Sequence, residues 1–266
     1  MADQTYTAFW LGYEPSGPGE GPTLPQTPPY IDVLVLAFAN LFPGNTTCQE
    51  FLQKANSGDS IRAGIAALRQ SSPTLKIMLS IIGTPSPAVG WNTGITDPDA
   101  FGAWCADLAE RWDLDGFDID NEDLDSFPGD AFCKTVQGMR KAMPQALLTM
   151  DTYLFDRDSA VIKTLAPCLD GINTMSYFSH LDQMKTLVEQ YSTVIPASKI
   201  SIGVKSDKVG SITQGTSLAD TAALSAWSPP AGTKRGMMLW NLSQDLQRVT
   251  GEPDGAWTRT IHANLP

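Results

Sequence analysis

Histidine is almost missing from this chain: 266 residues include 2, His180 and His262, and the 4 cysteines, Cys48, Cys105, Cys133 and Cys168, form no C-x-x-C pair. Zinc sites are built from clustered thiolates and imidazoles, so no metal and no cofactor is expected. Cys105 and Cys133 fall in helical patterns and read as small buried thiols rather than disulfide halves. Basic residues are also scarce, with 18 Lys and Arg against 29 Asp and Glu and a net charge of −11. That balance argues against nucleic acid and anionic membrane surfaces as partners. Charged residues make up only 18% and apolar ones 42%, which suits a globular chain and excludes disorder. No apolar run approaches the ~20 residues of a membrane span. The longest, from Val33 to Ala39, has the length of a strand. Met1-Ala2-Asp3-Gln4 lacks the basic and apolar regions of a secretory leader, so a mature secreted chain is expected, with a cytoplasmic one as the alternative.

What is present is alternation. Strand-like runs occur at Thr5–Leu11, Ile31–Phe38, Lys76–Ile82, Gly116–Asp120, Leu147–Asp151, Gly171–Ser176, Ile200–Val204 and Gly236–Trp240, eight in all. Helical periodicity fills most gaps, at Ser60–Gln70, Asp97–Arg111, Asp130–Met143, Arg157–Ala166, Leu181–Val194, Leu218–Trp227 and Trp257–Ala263. Ser60, Asp97 (before Pro98) and Ser217 are candidate N-caps. Repeated β–α units in a chain of this length predict one (β/α)8 TIM barrel over residues 1–266. A doubly wound sheet is the competitor, but it needs fewer strands and a Gly-rich first turn. Between Tyr13 and Pro29 the sequence holds 6 Pro and 3 Gly, which forbids a helix and predicts an irregular first crossover.

The segment Asp115-Gly116-Phe117-Asp118-Ile119-Asp120-Asn121-Glu122 carries the sharpest signal. Alternate residues of a strand share a face, so Asp118, Asp120 and Glu122 point into the barrel while Phe117 and Ile119 meet the helices. Glu122 lies at the C-terminal end of the strand, where barrel enzymes keep their chemistry. Neighbouring carboxylates repel, which predicts at least one raised pKa and a proton donor working near neutrality. A solvated acidic face is disfavoured by the interleaved Phe117 and Ile119. A calcium loop beginning at Asp118 would need Gly where Asp123 stands and Glu where Gly129 stands.

This segment resembles the D-x-x-D-x-D-x-E of glycoside hydrolase family 18, the chitinases and endo-β-N-acetylglucosaminidases. Met175-Ser176-Tyr177 is similar to the family's M-x-Y, and Gly236–Trp240 to the strand ending in its sugar-stacking Trp. Ala37-Phe38 and the Lys76–Gly83 segment with Ser80 also fit. The resemblance implies that Glu122 is the acid and base of a retaining, substrate-assisted hydrolysis through an oxazolinium ion. It implies that Asp120 orients the 2-acetamido group, that Asp118 shares a proton with Asp120, and that Tyr177 hydrogen-bonds the acetamido oxygen. Trp240 would floor the sugar, and Met175, Asp115 and Ser80 would join the binding site. Asp151 and Tyr153, ending the fifth strand, and Lys205, ending the seventh, are further cleft candidates. Trp10, Tyr13 and Trp91 are candidate stacking surfaces or rim packing.

The sequence departs from the family where Asn121 replaces a frequent Trp and Phe178 a frequent Asp. The short join from Val204 to Leu218 leaves no room for the insertion domain of some chitinases. These features put the chitobiose core of N-glycans on at least equal footing with chitin as substrate. The expected partner is a glycan containing N-acetylglucosamine, bound by a monomer. A chitinase-like lectin is the rival, although such proteins usually lose the catalytic Glu. Asn45-Thr46-Thr47 and Asn241-Leu242-Ser243 match the glycosylation sequon, the second against its position directly after a strand.

Overall fold

The computed structural model describes residues 4–11, 21–41, 58–83, 91–92, 95–123, 126–206 and 215–266. Eight parallel strands close into a barrel in sequence order: β1 (Thr5–Trp10), β2 (Val33–Asn40), β3 (Lys76–Gly83), β4 (Gly116–Asn121), β5 (Leu147–Thr152), β6 (Gly171–Thr174), β7 (Ile200–Lys205) and β8 (Gly236–Trp240). Around them lie α1 (Gly58–Ser71), α2 (Pro98–Trp112), α3 (Asp130–Ala142), α4 (Phe155–Leu165), α5 (Leu181–Tyr191), α6 (Leu218–Ala226), the short α7 (Gln247–Thr250) and α8 (Ala256–Asn264). Each expected strand and long helix is found, with ends shifted by a few residues. The single-turn α7 was not expected; four residues carry too little periodicity to signal it.

The caps behave as their chemistry demands at two of three places. Asp97 accepts from the Ala100 N–H at 3.0 Å and Ser217 from the Asp220 N–H at 3.0 Å, each satisfying an otherwise orphaned donor. Ser60 does not cap, because α1 already begins at Gly58. Of the first crossover the described part, from Gly21, contains one 3-10 turn at Leu24–Gln26 and no α-helix, as its prolines require. Tyr13, Cys48 and Asn45-Thr46-Thr47 lie outside the described residues. Cys105, Cys133 and Cys168 are free thiols, and the first two are buried. Asn241 is fully buried, with its Oδ1 accepting from the Gln244 N–H at 3.1 Å, so that sequon offers no accessible amide.

Strand alternation sorts the core into two separate apolar clusters. Outward-facing residues, among them Leu34, Leu36, Ile77, Leu79, Phe117, Ile119, Met150, Ile172, Ile202 and Leu239, pack against the helices. Inside the barrel a smaller cluster joins Phe9, Leu11, Val33, Val35, Ala37, Met78, Met175, Tyr177 and Met238. It draws mainly on β1 and β2, with Met78 of β3, Met238 of β8, and Met175 and Tyr177 after β6. The inner positions of β4, β5 and β6 hold Asp118, Asp120, Thr149, Asp151 and Asn173 instead, all at most 3% exposed. The interior is thus half apolar and half polar.

Helices α2 and α3, which flank β4, approach closely through two glycines. A Cβ on Gly102 would lie 2.4 Å from the Gly138 carbonyl oxygen, and one on Gly138 would lie 2.4 Å from that of Pro98. Backbone cannot yield there as a flexible side chain could. Gly138→Ala should therefore cost about 1–3 kcal/mol through overpacking, although alanine is the better helix former. Urea unfolding would show this as a lower midpoint at unchanged slope; a midpoint equal to or above the wild type's would mean the helices can separate freely.

Candidate active site

The β4 sequence fixes its own orientation. Phe117 and Ile119 fill the layer beneath the helices, which turns Asp118 and Asp120 inward and brings Glu122 to the C-terminal mouth. Asp118 sits deepest and is saturated with donors. Ser80 Oγ donates to its Oδ2 at 2.8 Å, Thr149 Oγ1 to its Oδ1 at 2.5 Å, and Asn173 Nδ2 approaches Oδ1 at 3.4 Å. Asp120 stands one layer higher, opposite Asp151 of β5, which is opposite Asn173 of β6. Asn173 Nδ2 donates to Asp151 Oδ1 at 2.9 Å. Asp120 Oδ1, by contrast, is buried and has no hydrogen-bond partner among the described residues.

Burial raises every acid in this group, because a carboxylate loses its hydration there. For Asp118 the hydroxyl donors Thr149 and Ser80 pull back against that rise. Asp120 is held well above the usual range by burial, then by the charges of Glu122 and Asp118. Asp151 is raised likewise by burial, then by Asp118 and Asp120. Glu122 is raised by burial and pulled back by Arg157. Repulsion, which the sequence suggested as the cause, is thus second to desolvation. Tyr177 is 7% exposed, and burial followed by the charges of Asp151, Asp120 and Glu122 drives its phenol well up. It remains a hydrogen-bond donor throughout the physiological range.

Two buried side chains hold the backbone around Glu122. Trp91 Nε1 donates to Asp120 O at 3.0 Å and to Ile81 O at 3.2 Å, and its ring stands edge-on to Phe101 and Phe132. Arg157, near the start of α4, donates to Asn121 O at 2.7 Å and Asp123 O at 3.1 Å, gripping the carbonyls on either side of Glu122. Its Nε meets Asp158 Oδ1 at 2.6 Å, and Asp158 Oδ2 accepts from Thr152 Oγ1 at 2.6 Å. Thr152 Oγ1 lies 2.5 Å from the Tyr191 hydroxyl. The cation is therefore paired, and it anchors the Glu122 segment to β5, α4 and α5.

Several expected site residues are brought together and others are not. Glu122, Tyr177, Met175 and Tyr153 follow the C-terminal ends of β4, β5 and β6, with Asp120, Asp151 and, deepest, Asp118 below them. Trp240, at the end of β8, is partly exposed and packs on Phe9 (5.4 Å between centroids) and Phe38 (5.6 Å). Ser80 is fully buried beneath Asp118 and offers nothing to a ligand directly. Asp151, 3% exposed, faces the inner acids rather than the open mouth. Asp115 is placed at the opposite end of β4. There it bonds the Ile77 N–H at 2.8 Å, Lys76 at 3.0 Å and Arg69 at 2.8 Å. Burial alone would raise its carboxyl, but those donors outweigh it and hold it low. Asp115 is a strand-start lock, not a binding residue. Trp10 and Trp91 are buried, at 3% and 1% exposure, and so present no stacking face. Lys205 Nζ stands 5.7 Å over the Phe178 ring, which is 51% exposed.

Sequence reasoning missed Thr149, Asn173, Arg157 and Asp158. The first two were in reach, since they share the inward phase of β5 and β6. It also missed Phe127 and Leu154, which with Phe178 are the exposed large apolar side chains of the described residues. All three follow strands at the mouth that holds Glu122, after β4, β5 and β6. Among the described residues no group of acids, histidines and cysteines is arranged to hold a metal ion, and no helix is long and apolar enough to cross a membrane.

The model of Glycosyl hydrolases family 18 matches residues 5–207. The chain belongs to glycosyl hydrolase family 18. Solved structures share the barrel of this family 18 chain at low identity. A chitinase from Cycas revoluta, in complex with allosamidin, has a TM-score of 0.75 and 17% identity over 98% of this chain and 99% of its own. A chitinase from Pseudoalteromonas aurantia has a TM-score of 0.72 and 18% identity, covering 98% of this chain and 100% of its own. An endo-β-N-acetylglucosaminidase from Cordyceps militaris, in complex with fucosyl-N-acetylglucosamine-Asn, has a TM-score of 0.69 and 15% identity, covering 100% and 92%. No curated protein matches the sequence.

The Arg157 clamp yields a test with two readouts. Arg157→Met leaves Asp158 buried without its cation, a loss on the order of 3–5 kcal/mol that calorimetry would register as a lower Tm. Arg157 also pulls the Glu122 carboxyl down. Without it the Glu122 ionisation, followed by carbon NMR of the labelled carboxyl, should move to higher pH. A Glu122 titration that stays in place would show that Arg157 acts on the backbone alone.

Proposed function

We propose that this protein is a retaining, endo-acting glycosidase that cleaves β-1,4 linkages of N-acetylglucosamine by substrate-assisted catalysis. The observation carrying this reading is the buried, unpartnered Oδ1 of Asp120 beside a raised Glu122. Buried acceptors are rarely left unpaired, and the N–H of a 2-acetamido group supplies the missing donor. Glu122 protonates the glycosidic oxygen while the acetamido oxygen attacks the anomeric carbon, forming an oxazolinium ion. Asp120 faces the N–H on which positive charge develops, and Tyr177, held protonated, donates to the acetamido oxygen. Glu122 then takes a proton from water, which opens the ring with net retention.

The remaining surfaces suit a sugar. Trp240 presents a partly exposed ring on the apolar side of the mouth, against the face of the sugar that carries only C–H groups. Phe178, Phe127 and Leu154 offer apolar rim surface to further units. Relatives of similar fold include chitinases and an endo-β-N-acetylglucosaminidase, so chitooligosaccharides and the chitobiose core of N-glycans are the two substrate forms to compare. Asn121 is turned away from the cleft, its Oδ1 accepting from the Asp123 N–H at 3.3 Å. It therefore builds no wall of the cleft. The protein is proposed to act as a monomer without metal.

Incubation with chitooligosaccharides beside a high-mannose glycoprotein, with products read by mass, decides between the two forms. Inertness toward both, in a folded preparation, would sink the proposal. Glu122→Gln should lose a factor of about 10²–10⁴ in rate at unchanged Tm, because the amide keeps the shape and removes the transferable proton. A thiazoline analogue of the intermediate should inhibit, and substrates lacking the 2-acetamido group should be inert. Covalent trapping of a fluorosugar on Asp120 would replace the scheme by direct carboxylate attack.

A further inference from the structure

Beside the inner acids, the β6 and β7 wall of the barrel brings three polar atoms together without pairing them. Ile172 of β6 and Ile200 and Ile202 of β7 pack outward against the helices, so Gly171, Asn173 and Ser201 face inward. Asn173 and Ser201 are direct neighbours across the β6–β7 ladder, and both are fully buried. Asn173 turns Nδ2 toward β5 and β4, donating to Asp151 Oδ1 at 2.9 Å and approaching Asp118 Oδ1 at 3.4 Å. Its Oδ1 therefore faces away from the acids. Arg235, just ahead of β8, lies across Gly171: a Cβ built on that glycine would stand 3.0 Å from Nη1 and 3.1 Å from Nε. Among the described residues Asn173 Oδ1, Ser201 Oγ and Arg235 Nη1 are all buried without a hydrogen-bond partner.

Buried polar atoms are nearly always paired, so three neighbouring orphans call for a common partner. Their needs are complementary: the amide oxygen requires a donor, the guanidinium an acceptor, and the hydroxyl serves as either. Gly171 and Asn173 stand two residues apart on β6, about 6.6 Å along the strand. One water crosses such a span with two hydrogen bonds of about 2.9 Å. Ser201 is one strand away, about 4.8 Å. An anion at this point would meet the amide oxygen, and a cation would meet Arg235. We infer that Asn173, Ser201 and Arg235 hold a buried water molecule, and that Ser201 and Arg235 act through it as positioning residues that keep the Asn173 amide donating to Asp151 and Asp118. Turned over, the amide would set its oxygen against the acids and its N–H₂ against the guanidinium. As far as turnover is concerned, the inference rests on the glycosidase reading above.

A high-resolution crystal structure of the wild-type protein tests the site without any substrate, and so stands even where the glycosidase reading fails. One ordered water within about 3.2 Å of all three atoms is expected. A direct bond from Ser201 Oγ to Asn173 Oδ1 with no water beside them would overturn the inference. So would a peak that gains anomalous signal after a bromide soak, since that marks an anion. Ser201→Val fills the space of the water and removes its hydroxyl partner, whereas Ser201→Ala keeps the space and leaves two partners. Magnetic relaxation dispersion of the solvent should count one fewer long-lived water in Ser201→Val and the wild-type number in Ser201→Ala. The side-chain amide resonances of Asn173 should shift in the first variant and stay near their wild-type positions in the second. With a cleaved substrate in hand, Ser201→Val should lose about tenfold in kcat at little change in KM, because the acids lose a fixed donor and not a sugar contact. A folded Ser201→Val with the full water count, or with the Asn173 amide unmoved, would overturn the positioning role.

Discussion

Everything at the mouth of this barrel depends on keeping carboxyl groups out of water. A parallel barrel interior is normally filled by branched apolar side chains. Here Asp118, Asp120 and Asp151 occupy three inner positions on two adjacent strands. Each would cost several kcal/mol as an isolated ion, so protons and donors must be supplied from the surrounding strands. Ser80 on β3, Thr149 on β5 and Asn173 on β6 are the donors, and none of them is exposed beyond 2%. They form a ring around Asp118 that only the closed barrel can assemble, because the four strands must hold one register. Stability and chemistry are therefore coupled: the network that makes the acids tolerable also shifts their ionisation.

The same constraint explains the scaffolding outside the barrel. Glu122 lies just past the end of β4, where the strand ladder no longer fixes the chain. Arg157 takes over that task by gripping the carbonyls of Asn121 and Asp123. A buried guanidinium is costly alone, and Asp158 offsets it at 2.6 Å. Trp91 contributes from the other side by capping the Asp120 carbonyl with an indole N–H. Its ring, packed edge-on against Phe101 of α2 and Phe132 of α3, transmits the close approach of those helices to the strand behind the acids. Rigid elements thus fix a residue that belongs to a loop, the arrangement a positioned proton donor needs.

Much of this was legible in the sequence, for physical reasons that differ by level. The barrel followed from alternation, since period-2 runs separated by period-3.6 runs leave few architectures. The acids followed because Phe117 and Ile119 fix the phase of β4 without reference to any other strand. What stayed hidden depends on register between strands. Thr149 and Asn173 look ordinary until the pairing of Asp118 with Thr149 and of Asp151 with Asn173 is known. Asp115 misled because a motif is continuous in sequence while its strand runs from one end of the barrel to the other. Trp91 and Trp10 misled because a large ring can serve a stacking face or a buried indole donor equally well on paper. Arg157 carried no local signal: its role is defined by two carbonyls more than thirty residues away.

The division of the interior into an apolar half and a polar half gives the mouth its character. Phe9, Val35, Ala37, Met238 and Trp240 line the side built from β1, β2 and β8, Asp120 and Asp151 line the side built from β4 and β5, and Tyr177, after β6, joins the two with its ring in the apolar cluster. An N-acetylated sugar has matching halves, a C–H face and an amide that can both donate and accept. On the proposed reading, binding the face against Trp240 delivers the amide to Asp120 and Tyr177, so one contact orients the other. A sugar without the amide would still meet the apolar wall but would leave Asp120 unpaired, the condition that discriminates strongly in buried polar sites. Selectivity for the N-acetyl group would then come from the cost of leaving a buried oxygen empty, and the apolar wall would add affinity without adding that choice.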